Sequence, residues 1–220
     1  MFVSGSLVLY ASIAQSSLFS AAKRAWRRLR YDSPELVASG AFDEDGNAAM
    51  KYTIPKDNQD VDEWVDQTLL FQHGPQRMRF ETLREEIMQM KAGLDSHKAF
   101  LFLHGDSESG DSDVTKNIDF ILNVDHQVTD GIGIRIVLGR YLSLLATELG
   151  QRDLPREVQT WERSFENLSP SWITIMHEEQ VLTGTEYERN AELNKDIILH
   201  KLASGFSICL ICYISFPLPS

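Results

Sequence analysis

Residues 118–150 read IDFILNVDHQVTDGIGIRIVLGRYLSLLATELG, and this stretch decides the fold. Residues 118–124 are apolar at their centre, which predicts a buried β-strand. Residues 132–149 have the length and the apolar spacing of a long helix, and Gly150 is a suitable residue to follow its end. A short polar turn, residues 125–131, lies between the two. The stretch therefore predicts a strand, a turn and a helix of an α/β protein.

The turn carries a histidine that is followed four residues later by an aspartate and a glycine: His126, Asp130 and Gly131. Ligands of α/β proteins tend to bind at the carboxyl ends of strands, where this turn is predicted to lie. An imidazole with a pKa of about 6.5 can take a proton from an alcohol at neutral pH. Asp130 is suited to fix the loop by an ion pair or by bonds from backbone N–H groups, and Gly131 to permit a sharp turn. A structural histidine in a capped loop is the alternative.

The rest of the chain alternates between predicted strands and helices. Helices are predicted at residues 12–30, with Ser12 as the N-cap, and at 61–71, with a further amphipathic segment at 80–91. Strands are predicted at residues 3–10, 36–42, 50–54 and 99–104. The acidic, glycine-containing residues 43–47 join two of these strands as a hairpin, and residues 106–113 are an exposed loop.

Composition and charge limit the classes of partner that the chain could bind. A chain of 220 residues, 43% of them hydrophobic, can bury a core without disulfides or metal ions. The formal net charge of −11 argues against a nucleic-acid partner, which normally requires a basic face. We interpret one basic cluster on the first helix as a solvated helix face, with a phosphate or nucleotide contact as the alternative; it comprises Lys23, Arg24, Arg27, Arg28 and Arg30.

The carboxyl-terminal part differs in character from the rest. Residues 176–200 are predicted to be a linker with one helix, and residues 201–220 an apolar, abnormal tail. The tail is interrupted by Gly205 and ends with prolines, so it does not favour a membrane span of about 20 residues. Its two cysteines, Cys209 and Cys212, indicate neither a disulfide framework nor a metal site, so a reducing, cytoplasmic compartment is expected. A membrane anchor formed by the tail is the alternative.

The segment NVDHQVTDGIGI resembles the His-x-x-x-Asp-Gly signature of the chloramphenicol-acetyltransferase-like superfamily of CoA-dependent acyltransferases. The order of elements from residue 3 to residue 175 is similar to that in the amino-terminal half of this family's members. The amino-acid sequence itself most resembles fungal secondary-metabolite acetyltransferases of the toxin-modifying type. The resemblance implies a two-layer α+β sandwich, with a mixed sheet and helices packed on one face. Residues 1–175 would form this half-domain.

The resemblance also implies a mechanism. His126 would take a proton from a hydroxyl or amine of a small-molecule acceptor, which attacks acetyl-CoA or another acyl-CoA that serves as co-substrate, with no permanently bound cofactor. Asp130 would be structural and would pair with an arginine, and Gly131 would belong to the same structural motif. The remaining histidines lack the motif's spacing and are interpreted as surface or packing residues: His73, His97, His104, His177 and His200.

Two departures from the family pattern matter. Condensation domains carry a second histidine where this chain has Asp125, which points toward a free acyltransferase. Family members have two similar halves, and the second half would supply the CoA-side wall, an Asp-Phe-Gly-Trp-Gly-like motif and part of the oxyanion stabilisation; the sequence has no such motif. A complementing second half or a homodimer would restore it. The alternatives are a non-catalytic fragment or pseudoenzyme, and a small-molecule-binding domain with a tail anchor.

Overall fold

The structure, a computed structural model, describes residues 1–42, 48–74, 84–85, 97–106, 113–150 and 159–168. The chain divides into two compact units. The first comprises residues 1–39 and 50–168 and holds the helices and the main sheet. The second comprises residues 40–49 and 169–220, of which 40–42 and 48–49 are described. Within the described residues, no helix has the length and apolar character required to cross a membrane.

Six strands and three helices make up the described secondary structure, together with 3-10 helices at Pro34–Val37 and Trp161–Asn167. In chain order the elements are β1 (Phe2–Ala14), α1 (Gln15–Asp32), β2 (Ser39–Phe42), β3 (Ala48–Lys51), α2 (Asn58–Thr68), β4 (Leu69–Gly74), β5 (Ala99–Asp106), β6 (Val114–Val124) and α3 (Gly133–Gly150).

The main sheet has four strands in the order β1-β6-β5-β4. Strand β6 is antiparallel to both of its neighbours, whereas β4 is parallel to β5. The predicted mixed sheet is therefore confirmed. Because β6 lies inside the sheet, Ile118–Val124 are buried on both faces, as the apolar run at residues 118–124 predicts. Strands β2 and β3 form a separate two-stranded sheet.

The helices α1, α2 and α3 pack on one face of the main sheet around Trp26 of α1. The indole of Trp26 is stacked on that of Trp64, with ring centroids 5.2 Å apart, and meets the Tyr141 ring edge-on at 5.8 Å. Its Nε1 donates a hydrogen bond to Thr68 Oγ1 at 2.9 Å. The buried positions of α1 recur every three or four residues, which is the spacing of one helix face: Leu18, Ala21, Ala22, Ala25, Trp26 and Leu29.

Strand pairing shifts several predicted boundaries. The first helix begins at Gln15, and Ser12 is not its N-cap, because β1 continues to Ala14, which pairs with Val114 of β6. The helix predicted at residues 61–71 begins earlier, at Asn58, because Asp57 Oδ1 accepts a hydrogen bond from Asp60 N at 3.0 Å. It ends at Thr68, and the residues that follow form β4, a strand that the sequence did not predict.

Other predictions are corrected or lie outside the described residues. The strand predicted at residues 36–42 begins at Ser39, because Pro34–Val37 form a 3-10 helix, and the strand predicted at 50–54 is Ala48–Lys51. Gly150 is the last residue of α3 and does not follow its end. The hairpin loop at 43–47, the linker with one helix at residues 176–200, the two cysteines and the apolar tail lie outside the described residues. So does all of 80–91 except residues 84–85.

Candidate functional site

The loop between β6 and α3 is attached to the start of β5 through Asp125. The Asp125 backbone N–H donates to the Lys98 carbonyl at 2.7 Å, and its carboxylate Oδ2 lies 3.6 Å from Lys98 Nζ. The other carboxylate oxygen, Oδ1, accepts a hydrogen bond from Gln127 N at 2.9 Å. Asp125 therefore anchors the loop at its first residue, a role that the sequence did not reveal.

His126 is exposed at this loop, and its ring makes a bond within the loop. Nδ1 lies 3.0 Å from the carbonyl oxygen of Thr129. A carbonyl oxygen only accepts, so Nδ1 carries the hydrogen that it donates, and the neutral ring has its lone pair on Nε2. The structure thus gives His126 the tautomer that a proton acceptor requires.

Asp130 forms the N-terminal cap of α3. Its Oδ1 accepts hydrogen bonds from Ile132 N at 3.0 Å and from Gly133 N at 2.7 Å, and its carbonyl accepts from Ile134 N at 3.0 Å. These bonds satisfy N–H groups that have no partner within the helix. The contacts agree with the prediction that Asp130 shapes the loop through backbone N–H groups. Across the described ranges, no ion pair joins Asp130 to an arginine.

Removing the Asp130 side chain is expected to loosen this loop and the first turn of α3. We expect Asp130→Ala to lower the free energy of unfolding by about 1 kcal/mol, because a cap residue contributes on that order. Urea unfolding followed by circular dichroism measures the loss. Asp130→Asn is the matched control, since an amide oxygen still accepts from both N–H groups. Equal stability of the alanine variant and the unsubstituted protein would contradict the capping role.

Gly133, and not Gly131, is the glycine that the loop requires. The backbone of Gly131 is outside the left-handed region, and an added Cβ would meet no heavy atom of the described residues within 4 Å. Gly131 lies in the turn before α3, as expected, but its backbone conformation there is open to other residues. A Cβ on Gly133 would overlap Thr129 Oγ1 and lie 3.3 Å from both Thr129 Cβ and Asp130 Oδ1. Gly133 is constrained because the Thr129 side chain lies directly over it.

The two glycines are expected to respond differently to alanine. Gly133→Ala should cost about 1–3 kcal/mol of folding stability, the usual range for overpacking, because Thr129 must move. Gly131→Ala should change stability by less than about 0.5 kcal/mol. Chemical denaturation of both variants tests the difference, and a larger loss for Gly131→Ala would refute the assignment.

The basic cluster on α1 serves mainly to connect helices. Four of its five members form ion pairs with acidic side chains: Lys23 with Asp66, Arg24 with Glu148, Arg27 with Asp62, and Arg28 with Asp32. Two of these pairs reach α2, and one reaches α3. The fifth member, Arg30, is only 6% exposed, so the interpretation of the cluster as a solvated face is wrong for this residue.

Comparison with known proteins places this arrangement in a family. A family model described as 15-O-acetyltransferase Tri3 matches residues 2–204. The curated trichothecene 15-O-acetyltransferase TRI3 of Fusarium sporotrichioides is 23% identical over 167 residues, which are 72% of this chain and 32% of that protein. The chain therefore spans about a third of the length of this curated relative.

Solved structures show the same fold. The structure of TRI3 from Fusarium sporotrichioides matches with a TM-score of 0.67 at 19% identity, covering 90% of this chain and 40% of that chain. The first condensation domain of the calcium-dependent antibiotic synthetase matches with a TM-score of 0.53 at 16% identity, covering 86% and 40%. These matches confirm the predicted fold class. Because the family model covers residues 2–204, the chain belongs to the Tri3 15-O-acetyltransferase family.

Proposed function

We propose that the chain takes part in acetyl transfer from acetyl-CoA to a hydroxyl of a secondary metabolite of the trichothecene class, with His126 as the general base. The observation that carries the proposal is the hydrogen bond from His126 Nδ1 to the Thr129 carbonyl, which puts the ring lone pair on Nε2. Family membership supplies the reaction class. The name of the curated relative supplies the acceptor class.

The proposed reaction involves two proton transfers. Nε2 of His126 takes the proton of the acceptor hydroxyl as the oxygen attacks the thioester carbonyl carbon, so that a C–O bond forms. The C–S bond then breaks, and the CoA thiolate takes the proton back from His126. The bonds of Asp125 and Asp130 hold the loop while the ring alternates between its neutral and protonated forms, as positioning requires.

The second half of the site is also part of this proposal. The TRI3 structure is longer than this chain, which covers 40% of it. We propose that residues 1–175 correspond to the amino-terminal half of the acyltransferase fold. The remaining wall of the site would come from a complementing half or from a second copy of the chain.

The test is acetylation of a trichothecene that has a free 15-hydroxyl group. The purified chain is incubated with acetyl-CoA and this acceptor, and the product is identified by mass spectrometry. The same compound without the 15-hydroxyl is the control acceptor. A product from the first compound alone supports the proposal, and no product from either contradicts a site that is completed by a second copy of this chain. Saturable binding of acetyl-CoA without product would favour a chain that binds without catalysing.

A further inference from the structure

Arg30 is a buried cation, and two of its donor atoms lack partners among the described residues. It lies in the last turn of α1 and is 6% exposed. Within the part of the chain that the structure describes, its Nε and Nη1 have no hydrogen-bond partner, in contrast to its four ion-paired neighbours on α1. Unpaired buried donors are costly, particularly those of a charged group. Such a group is expected to have an acceptor that is not a part of the described residues.

The guanidinium lies among aromatic rings. The Arg30 Cζ is 5.0 Å from the Trp64 ring centroid and 5.8 Å from that of Trp161. Burial lowers the pKa of Arg30, Tyr52 and Asp60 oppose the shift, and Arg27 adds to it. An arginine nevertheless stays protonated in proteins. The rings offer a favourable cation–π environment but no acceptor oxygen.

A pocket of about 290 Å³ opens beside Arg30. Trp64 also lines it, and the indole Nε1 of this residue is a further buried donor without a partner among the described residues. Two residues that carry unsatisfied donors thus line the same pocket. The size is at the lower end for ligand sites, so the ligand is small.

The rest of the lining adds opposite charge and an apolar wall. The acidic residues Asp60 and Glu63 are part of the lining, and an apolar side is formed by Val37, Ile54 and Pro55. Burial lowers the pKa of His97, which also lines the pocket, and the charge of Arg30 lowers it further, so this imidazole is neutral at pH 7. One cation and two carboxylates disfavour a dianion such as phosphate. They match a ligand that carries both charges.

We propose that this pocket binds a small zwitterion, an α-amino acid with an apolar side chain. Its carboxylate would accept hydrogen bonds from Arg30 and from Trp64 Nε1. Its ammonium group would lie beside Asp60 and Glu63, and its side chain against the apolar wall. The site is separate from the His126 loop and does not depend on the proposed acetyl transfer.

Isothermal titration calorimetry of the full chain with four small molecules tests the proposal. Leucine is expected to bind more tightly than 4-methylpentanoate, which lacks the ammonium group, and than 3-methylbutylamine, which lacks the carboxylate. Inorganic phosphate is expected to bind weakly or not at all. No heat from leucine at millimolar concentration would overturn the proposal, as would tighter binding of phosphate. Equal affinity for 4-methylpentanoate would overturn the role given to the two acidic residues.

Variants assign the contacts. Arg30→Met is expected to weaken leucine binding about 10- to 100-fold, the loss typical of a hydrogen-bonded charged group. Glu63→Gln, at an exposed position, should weaken binding of leucine but not of 4-methylpentanoate, and it tests the site if the Arg30 variant fails to fold. Lys23→Gln is the control, because it removes a charge from the same helix away from the pocket. Unchanged leucine affinity in both pocket variants would refute the assignment.

Discussion

Substituting alanine for His126 is expected to lower the rate of acetyl transfer by about 10²- to 10⁴-fold, the usual contribution of a general base. The acceptor hydroxyl would then have to attack without a group that takes its proton. Folding should not change, because the side chain is exposed. Initial rates of CoA release, measured with a thiol reagent, give the loss.

Gln127 provides the matched control for that measurement. It is the next residue of the loop, it is exposed, and its bond to Asp125 uses the backbone N–H. We expect Gln127→Ala to retain the rate within about a factor of three, since no transition-state contact is removed. A similar loss in both variants would mean that the loop tolerates no change, and it would count against a specific role for the imidazole.

Substituting alanine for Trp26 is expected to have the largest effect on stability. The indole is fully buried, it is stacked on Trp64 and meets Tyr141, and it donates to Thr68. Loss of a buried tryptophan costs about 3–5 kcal/mol, from lost transfer free energy and from the cavity that remains. Guanidinium unfolding monitored by circular dichroism measures the change.

The control for this substitution is an apolar side chain on the surface. Val8 of β1 is 72% exposed, so Val8→Ala should change the free energy of unfolding by less than about 0.5 kcal/mol. If Trp26→Ala cost less than about 1 kcal/mol, the three helices would not share the core described for them.

The sequence predicted the elements whose own residues carry the signal. β6 and α3 are predicted because an apolar run, a polar turn and a long segment with helical spacing of apolar residues follow one another between residues 118 and 150. β4 was missed because Leu69, Leu70 and Phe71 continue the apolar pattern of the preceding helix, and a short apolar run does not distinguish the two states. Its partner β5 begins at Ala99, and only this distant pairing selects the strand.

The candidate site divides in the same way. His126 and Asp130 could be named from their spacing, and Asp130 indeed caps a helix through backbone N–H groups. The contact of Asp125 with Lys98 could not be predicted, because these residues are distant in the chain and meet only through the pairing of β5 with β6. Which of the two nearby glycines is constrained depends on where the Thr129 side chain lies, and spacing does not contain that information.

The burial of Arg30 could not be predicted from the sequence for the same reason. Five basic residues within one helix look alike in sequence, and four of them do pair with acidic residues. Arg30 is buried because the rings of Trp64 and Trp161 lie against its guanidinium, and both residues are far from it in the chain. Helical periodicity places Arg30 near the buried side but does not say what covers it.

Chemical rescue is the most direct test of the central claim, that His126 is the proton acceptor in acetyl transfer. The His126→Gly variant leaves space at the ring position and is assayed with increasing imidazole. We predict that transfer is nearly absent without imidazole and rises with the concentration of its neutral form, because the added base takes over the role of Nε2. Transfer by His126→Gly at the rate of the unsubstituted protein, with no imidazole present, would contradict the account.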